Sequence, residues 1–247
     1  MILKVGDVYS TSKCGDIVIT DYISAKEVKV RFLDSGTEVI TAAKEIRSGG
    51  IRDHLAPTVF GVGYLDGCRG YVNNKATVSY RRWFGMLARC YDEYTQRVQP
   101  TYKDCTISET FKSFAMFDKW ANSCVGSEKN KWALDKDILV KGNKVYSEDT
   151  CCFVPNEINL LFVKSNKTRG DFPIGVSFCK YHNRFVANIR KNGTRKYLGY
   201  SNNAETAFYY YKEAKEAYIK EVANKWKDQI DIRTYTSLLN YKVEITD

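Results

Sequence analysis

Between Trp132 and Phe162 the chain reads WALDKDILVKGNKVYSEDTCCFVPNEINLLF, with Asp135, Asp137, Glu148 and Asp149 gathered around Lys136. Carboxylate oxygens of this kind suit a hard divalent cation such as magnesium. Metal-assisted phosphodiester cleavage needs that ion on the leaving oxygen and a general base that takes a proton from water. Lys136 fits the base role poorly, because a lysine starts near ~10.4 and stays an ammonium unless strongly desolvated. As an ammonium it can hold a phosphate, but it can neither accept a proton nor bind a metal. The competing reading is structural. The carboxylates and Lys136 then form surface ion pairs, Gly142-Asn143 is a turn, and Asn156 and Asn159 cap or brace a helix.

A second set of residues suits binding rather than reaction. Among the polar residues of three short runs, Ser177, Lys180, Arg184, Asn188, Arg190, Arg195 and Tyr197 are taken as outward, with Val186, Ile189 and Leu198 as their buried partners. Arginine can bond guanine with two parallel hydrogen bonds, and asparagine can do the same for adenine. The alternative is that several are solvated edge-strand charges that keep a small sheet from pairing further. A formal charge of +9 over 247 residues favours a polyanionic partner, though a merely basic protein has the same charge. Eighteen tyrosines supply rings for base stacking or for a core.

Both sets need elements to position them. The Trp132–Phe162 stretch has the cadence of a ββα unit: an apolar run, the Gly142-Asn143 turn, a second run ending at Val154-Pro155, and a helix start. Further on, Gly175–Ser177, Arg184–Arg190 and Lys196–Tyr200 read as three strands, with Asn192-Gly193 as the hairpin turn between the last two. Asn202 and Glu205 fit a capping box, and Ala204, Ala207, Phe208, Tyr211, Ala214 and Tyr218 line one face of a long helix. Upstream, Trp83, Met86, Leu87 and Cys90 form one helical stripe, and Phe111, Phe114, Phe117, Trp120 and Ala121 another. Arg81, Arg82 and Arg89 beside the first stripe face either phosphate or solvent. Residues 2–47 read as short strands with Gly-containing turns, which suggests a five-stranded barrel. The glycine-rich segment that follows reads as a linker, with His54 as a polar surface residue.

The Trp132–Phe162 stretch resembles the core of HNH nucleases of phages and mobile elements. In that family Leu-Asp-His leads the first strand, Asn-Cys sits midway along the second, and a further Asn follows on the helix. Asp135 and Asn159 match, whereas Lys136 stands in the histidine position and Thr150 in the middle asparagine position. The resemblance implies catalytic roles for Asp135, Lys136 and Asn159, and a Mg2+ or Mn2+ ion, if the protein is active, on Asp135, Asp137 and Asp149. The Gly175–Trp226 stretch, about a fifth of the chain, resembles the APETALA-type (ethylene-response-factor) DNA-binding domain. It shares the Gly-Val, Ala-x-Ile-Arg and Tyr-Leu-Gly strands and the alanine-striped helix, with Phe185 replacing the usual tryptophan. That resemblance implies a sheet laid in the major groove, with the seven residues named above touching phosphates and base edges.

The eight cysteines form no C-x-x-C pair and there are two histidines, which argues against a zinc ribbon. No run approaches membrane length and no apolar signal segment opens the chain, so a cytoplasmic protein with reduced thiols is expected. The expected class is α+β. It comprises a Src-homology-like barrel (1–55), a linker (56–78), a helical and HNH-like ββα domain (79–165), and a three-stranded sheet packed on one long helix (170–247). The expected function is double-stranded DNA binding on a degenerate HNH scaffold. The alternatives are an active homing-type endonuclease or nickase, and an interaction protein whose barrel binds a protein partner.

Overall fold

The computed structural model describes residues 3–163 and 171–247; the basic stretch Lys164–Arg169, expected to be an exposed linker, lies outside the described residues. Two compact units emerge, Met1–Ser123 with Lys144–Asp149, and Cys124–Asn143 with Thr150–Asp247. The fold is mixed α/β with several separate sheets.

In the first unit, β1 (Val8–Ser10), β2 (Asp16–Ser24), β3 (Glu27–Phe32) and β4 (Glu38–Thr41) form an antiparallel meander in sequence order. Period-two alternation buries Ile17, Ile19, Val28, Val30 and Phe32. The expected five-stranded barrel does not form: the sheet stays open at four strands. After β4 the chain enters α1 (Ala43–Ser48), since Ala-Lys-Glu-Ile-Arg is a run of helix formers with a single β-branched residue. Ala43 and Ile46 join Leu3, Cys14 and Ile51 in the core of the sheet.

The segment read as a linker packs against the helices instead. It forms a hairpin of β5 (Tyr71–Val72) and β6 (Lys75–Ala76). Gly63 lies so close to α2 (Val78–Tyr91) that a Cβ there would come within 2.5 Å of Leu87 and 2.8 Å of Trp83. Thr77 caps α2 by accepting from the Tyr80 amide, and Trp83, Met86, Leu87 and Cys90 are buried along it as their spacing predicts. After α3 (Glu93–Val98), the aromatic stripe divides at Ser113 between α4 (Glu109–Lys112) and α5 (Phe114–Ser123). Phe111, Phe114, Phe117 and Ala121 are buried, and Trp83 Nε1 donates to the Phe111 carbonyl at 2.7 Å.

In the second unit, β8 (Trp132–Asp135) pairs antiparallel with β10 (Cys152–Pro155), and α6 (Asn156–Asn159) follows as a single turn. The ribbon and helix start of the expected ββα unit are therefore present. The residues between them contribute β9 (Val145–Tyr146) to the first unit, parallel to β7 (Thr106–Ile107). The antiparallel sheet β11 (Val176–Cys179), β12 (Arg184–Lys191) and β13 (Thr194–Ser201) packs on α7 (Ala204–Trp226), and α8 (Ile232–Asn240) follows. Ribbon, sheet and helices share one core. Cys152, Val154, Ile158 and Leu161 are buried together with Val176, Ala187, Ile189, Ala207, Phe208 and Tyr218. The boundaries read from sequence assign these residues to two domains, whereas packing joins them in one unit. The α7 cap sits one residue later than the capping box implied: Asn203 Oδ1 accepts from the Glu205 and Thr206 amides. No described helix is long and apolar enough to cross a membrane.

Candidate nucleic-acid interface

The β12–β13 hairpin turns on Asn192 (φ 51°) and Gly193 (φ 77°), both left-handed, as a two-residue type I′ turn requires. Tyr218 on α7 fixes that turn: its hydroxyl donates to Asn192 Oδ1 at 3.0 Å and accepts from the Asn192 amide at 3.3 Å. Lys191 lies 4.8 Å over the same ring and reaches Glu221 at 3.2 Å. The start of β11 is fixed by a close approach. Gly175 has φ 78°, and a Cβ there would come within 2.0 Å of the Tyr211 ring.

Register then sorts side chains between two faces. Val176 pairs with Ala187 and Ala187 with Gly199; Val176, Ala187 and Ile189 are buried in the core shared with α7. Directly opposed residues share a face. The other face therefore carries Cys179 opposite Arg184, Ser177 opposite Val186 opposite Tyr200, Asn188 opposite Tyr197, and Arg190 opposite Arg195. Six of the seven sequence-derived candidates (Ser177, Arg184, Asn188, Arg190, Arg195 and Tyr197) thus come together on this outer face. Lys180 lies beside it, exposed in the turn between β11 and β12. No residue at these outward positions is a carboxylate. None of the ion pairs among the described residues uses Lys180, Arg184, Arg190 or Arg195. Among the described residues, the enclosed Asn188 side-chain nitrogen has no hydrogen-bond partner.

Sequence reasoning missed three residues of this face. Tyr181, His182, Tyr200 and Tyr197 form a chain of ring contacts, with successive centroids 4.8, 5.0 and 5.0 Å apart. Strict alternation from an outward Tyr197 would turn Tyr200 inward. A bulge at Leu198 resets the parity, so Gly199 faces the helix and Tyr200 faces solvent. Tyr181 and His182 sit in a turn, where strand periodicity gives no signal.

The central candidates are arranged differently. Asp135 Oδ1 accepts from the Asp137 amide at 2.7 Å and the Ile138 amide at 2.8 Å, so it closes a turn. Burial raises its carboxyl above the ordinary range and outweighs those two donors. The Lys136 side chain is buried; its Nζ donates to Asp137 Oδ1 at 2.6 Å and to the Asn143 carbonyl at 2.7 Å. Asn143 returns a bond from Nδ2 to the Lys136 carbonyl at 2.9 Å, which makes it a turn residue. Lys136 is therefore an internal brace of the 136–143 loop. Asn159 ends α6, half-buried. Asp149 and Glu148 belong to the first unit, where Glu148 accepts from Ser108 at 3.0 Å. Burial opposes the Glu148 charge, but hydrogen bonds from Thr110, its own backbone and Ser108 hold its carboxyl below the usual range. Among the described residues, no three His, Cys, Asp or Glu side chains come together as ligands for a metal ion. Arg89, a phosphate-facing candidate, turns inward to Tyr146 and lies 5.4 Å from the Tyr102 ring, while Arg81 donates to the Ala76 carbonyl at 2.9 Å.

Comparison with known family models, with curated proteins and with solved structures finds no match for this chain.

Proposed function

We propose that the chain binds double-stranded DNA through the outer face of β11, β12 and β13, as a phage or mobile-element type of protein whose HNH-like ribbon serves as scaffold. The observation that carries this reading is the composition of the face. Arg184, Arg190 and Arg195 share it with Asn188 and Tyr197, and it has no carboxylate. Cations at strand spacing match a phosphate backbone, and the arginines and Asn188 have the donor geometry that reads purines in a major groove. The likeness of the strands and helix to the APETALA-type domain agrees with the same face. The nuclease reading has less behind it, since the Lys136 ammonium is spent on Asp137 and Asn143.

The experiment is fluorescence anisotropy of the full chain on a labelled duplex across a salt series, with Arg190→Gln and Arg195→Gln beside it. Affinity should fall steeply with salt, and each substitution should reduce the slope of log K against log salt by about one. Duplex binding that ignores salt, or that neither substitution weakens, refutes the reading. Plasmid incubation with magnesium or manganese tests cleavage separately.

A further inference from the structure

The ring chain on the outer face suits a ligand that a closed duplex does not supply. Tyr181 is 91% exposed, Tyr197 56% and Tyr200 39%, and His182 links them by contacts of 4.8 to 5.0 Å. Single exposed apolar groups are ordinary on a protein surface, but a contiguous chain of rings is not. The rings meet at tilts of 51° to 85°, so they do not bury one another in a parallel stack. Val186, opposite both Ser177 and Tyr200, lies on the same face. Lys180 and Arg184 lie toward one end of the row, and Arg190 and Arg195 at the other.

A duplex presents phosphates and base edges to a sheet, while its base faces are stacked internally. Unpaired nucleotides present base faces, and protein surfaces that hold them combine a cationic track with aromatic side chains. On this basis, and resting on the DNA-binding reading above, we propose that the outer face is a stacking platform for unpaired bases. Its preferred ligand is DNA with a single-stranded stretch, whose bases stack on Tyr181, Tyr200 and Tyr197 while the flanking cations hold the phosphates. The duplex is the weaker ligand of the same face.

The test uses the full chain and three labelled DNAs: a thymidine-rich single strand, a closed duplex, and the duplex with a central unpaired bubble. The variants are Tyr181→Ala, Tyr197→Ala with Tyr200→Ala, and the conservative Tyr197→Phe with Tyr200→Phe. The single strand and bubble should bind at least tenfold tighter than the closed duplex. Alanine should weaken them by about 5- to 150-fold for each ring removed, with phenylalanine rescuing the 197/200 pair, and Tyr181→Ala should leave the closed duplex within about twofold. Tyr181 is almost wholly exposed, so Tyr181→Ala tests stacking even where the double variant misfolds. Equal affinity for all three DNAs, or alanine losses that are the same on duplex and single strand, overturns the platform and leaves duplex binding standing. Failure to bind any of the three overturns both.

Discussion

Lys136→Met separates a structural lysine from a chemical one. The methionine keeps an unbranched stem of similar length in a site that is 5% exposed and removes the ammonium with its bonds to Asp137 and to the Asn143 carbonyl. Hydrogen bonds from a charged donor contribute about 1.5–3 kcal/mol each. Asp137 is half-exposed, so its share falls to the range of a surface pair, about 0–1 kcal/mol. The bond to the Asn143 carbonyl keeps its full value, and relief of ammonium desolvation offsets part of the total. The expected loss is about 2 kcal/mol. Because the chain has two compact units, a single unfolding midpoint would blur this loss. Hydrogen exchange read by peptide resolves it. Protection should fall across 132–143 and 150–162 and stay unchanged across α2 and α5. Duplex affinity should stay within about twofold, since the ammonium is committed to its own loop. Unchanged exchange combined with lost metal-dependent nicking would refute the brace and return Lys136 to catalysis.

Three further outcomes follow from the second unit. Gly175→Ala should destabilise by more than about 2 kcal/mol, because it adds a Cβ at φ 78° that collides with Tyr211; denaturant titration checks it, and a change under about 0.5 kcal/mol contradicts the close approach. Glu157 accepts from Lys225 at 2.6 Å and from Trp226 Nε1 at 2.8 Å; burial opposes its charge, but those donors win and hold its carboxyl below the usual range. Its contribution is therefore fully present above the unfolded carboxylate value of about 4.3 and is lost as pH falls through the lower folded value. Glu157→Gln should cost about 1 kcal/mol at neutral pH and progressively less in acid, as thermal melts across pH would record. Burial pushes the Cys152 thiol up to about 12, so its stabilising effect holds below the unfolded value near 8.5 and is lost as pH rises through 12. Alkylation at mildly basic pH with mass-spectrometric readout should modify the less buried Cys68, Cys124 and Cys179 well before Cys152.

What the sequence made legible was whatever rests on local period and turn chemistry. The α2 stripe, the aromatics of α4 and α5, and the Asn192-Gly193 hairpin need only near neighbours to declare themselves. Six members of the outer face were legible from their polar character within the runs, whereas Val186, expected to be buried with Ile189, lies three residues before it and so faces out with Ser177 and Tyr200. Tyr200 was not, because a bulge is a two-strand event that one strand's pattern does not encode. Nor was the end of the first sheet. Glu38–Thr41 and Ala43–Ser48 differ in propensity, but only the apolar face left open by four strands explains why Ile46 is drawn in as a helix residue. The bonds that hold Lys136 were illegible for a third reason. Its partners are its neighbour Asp137 and the carbonyl of Asn143, seven residues on, and a backbone acceptor leaves no trace in residue types.

On the proposed reading of the β8 and β10 ribbon as an HNH-like scaffold, its retention with Lys136 and Thr150 in the histidine and asparagine positions needs a physical reason. Its apolar residues answer in physical terms. Cys152, Val154, Ile158 and Leu161 sit in the same core as the sheet and α7, and Trp132 meets Trp226 edge to face at 6.0 Å. Deleting such groups costs about 2–5 kcal/mol each, so the ribbon cannot be shed without undermining the helix that carries the proposed DNA-binding face. The polar positions carry no such constraint: Lys136 braces its own loop through Asp137 and the Asn143 carbonyl without belonging to that core. On the DNA-binding reading, substitutions should therefore be tolerated at Asp137 and Asn159 and resisted at Val154 and Ile158, whereas an active metal centre would add Asp137 and Asn159 to the intolerant set. A saturation scan scored for duplex binding and nicking in parallel would show which pattern governs this ribbon.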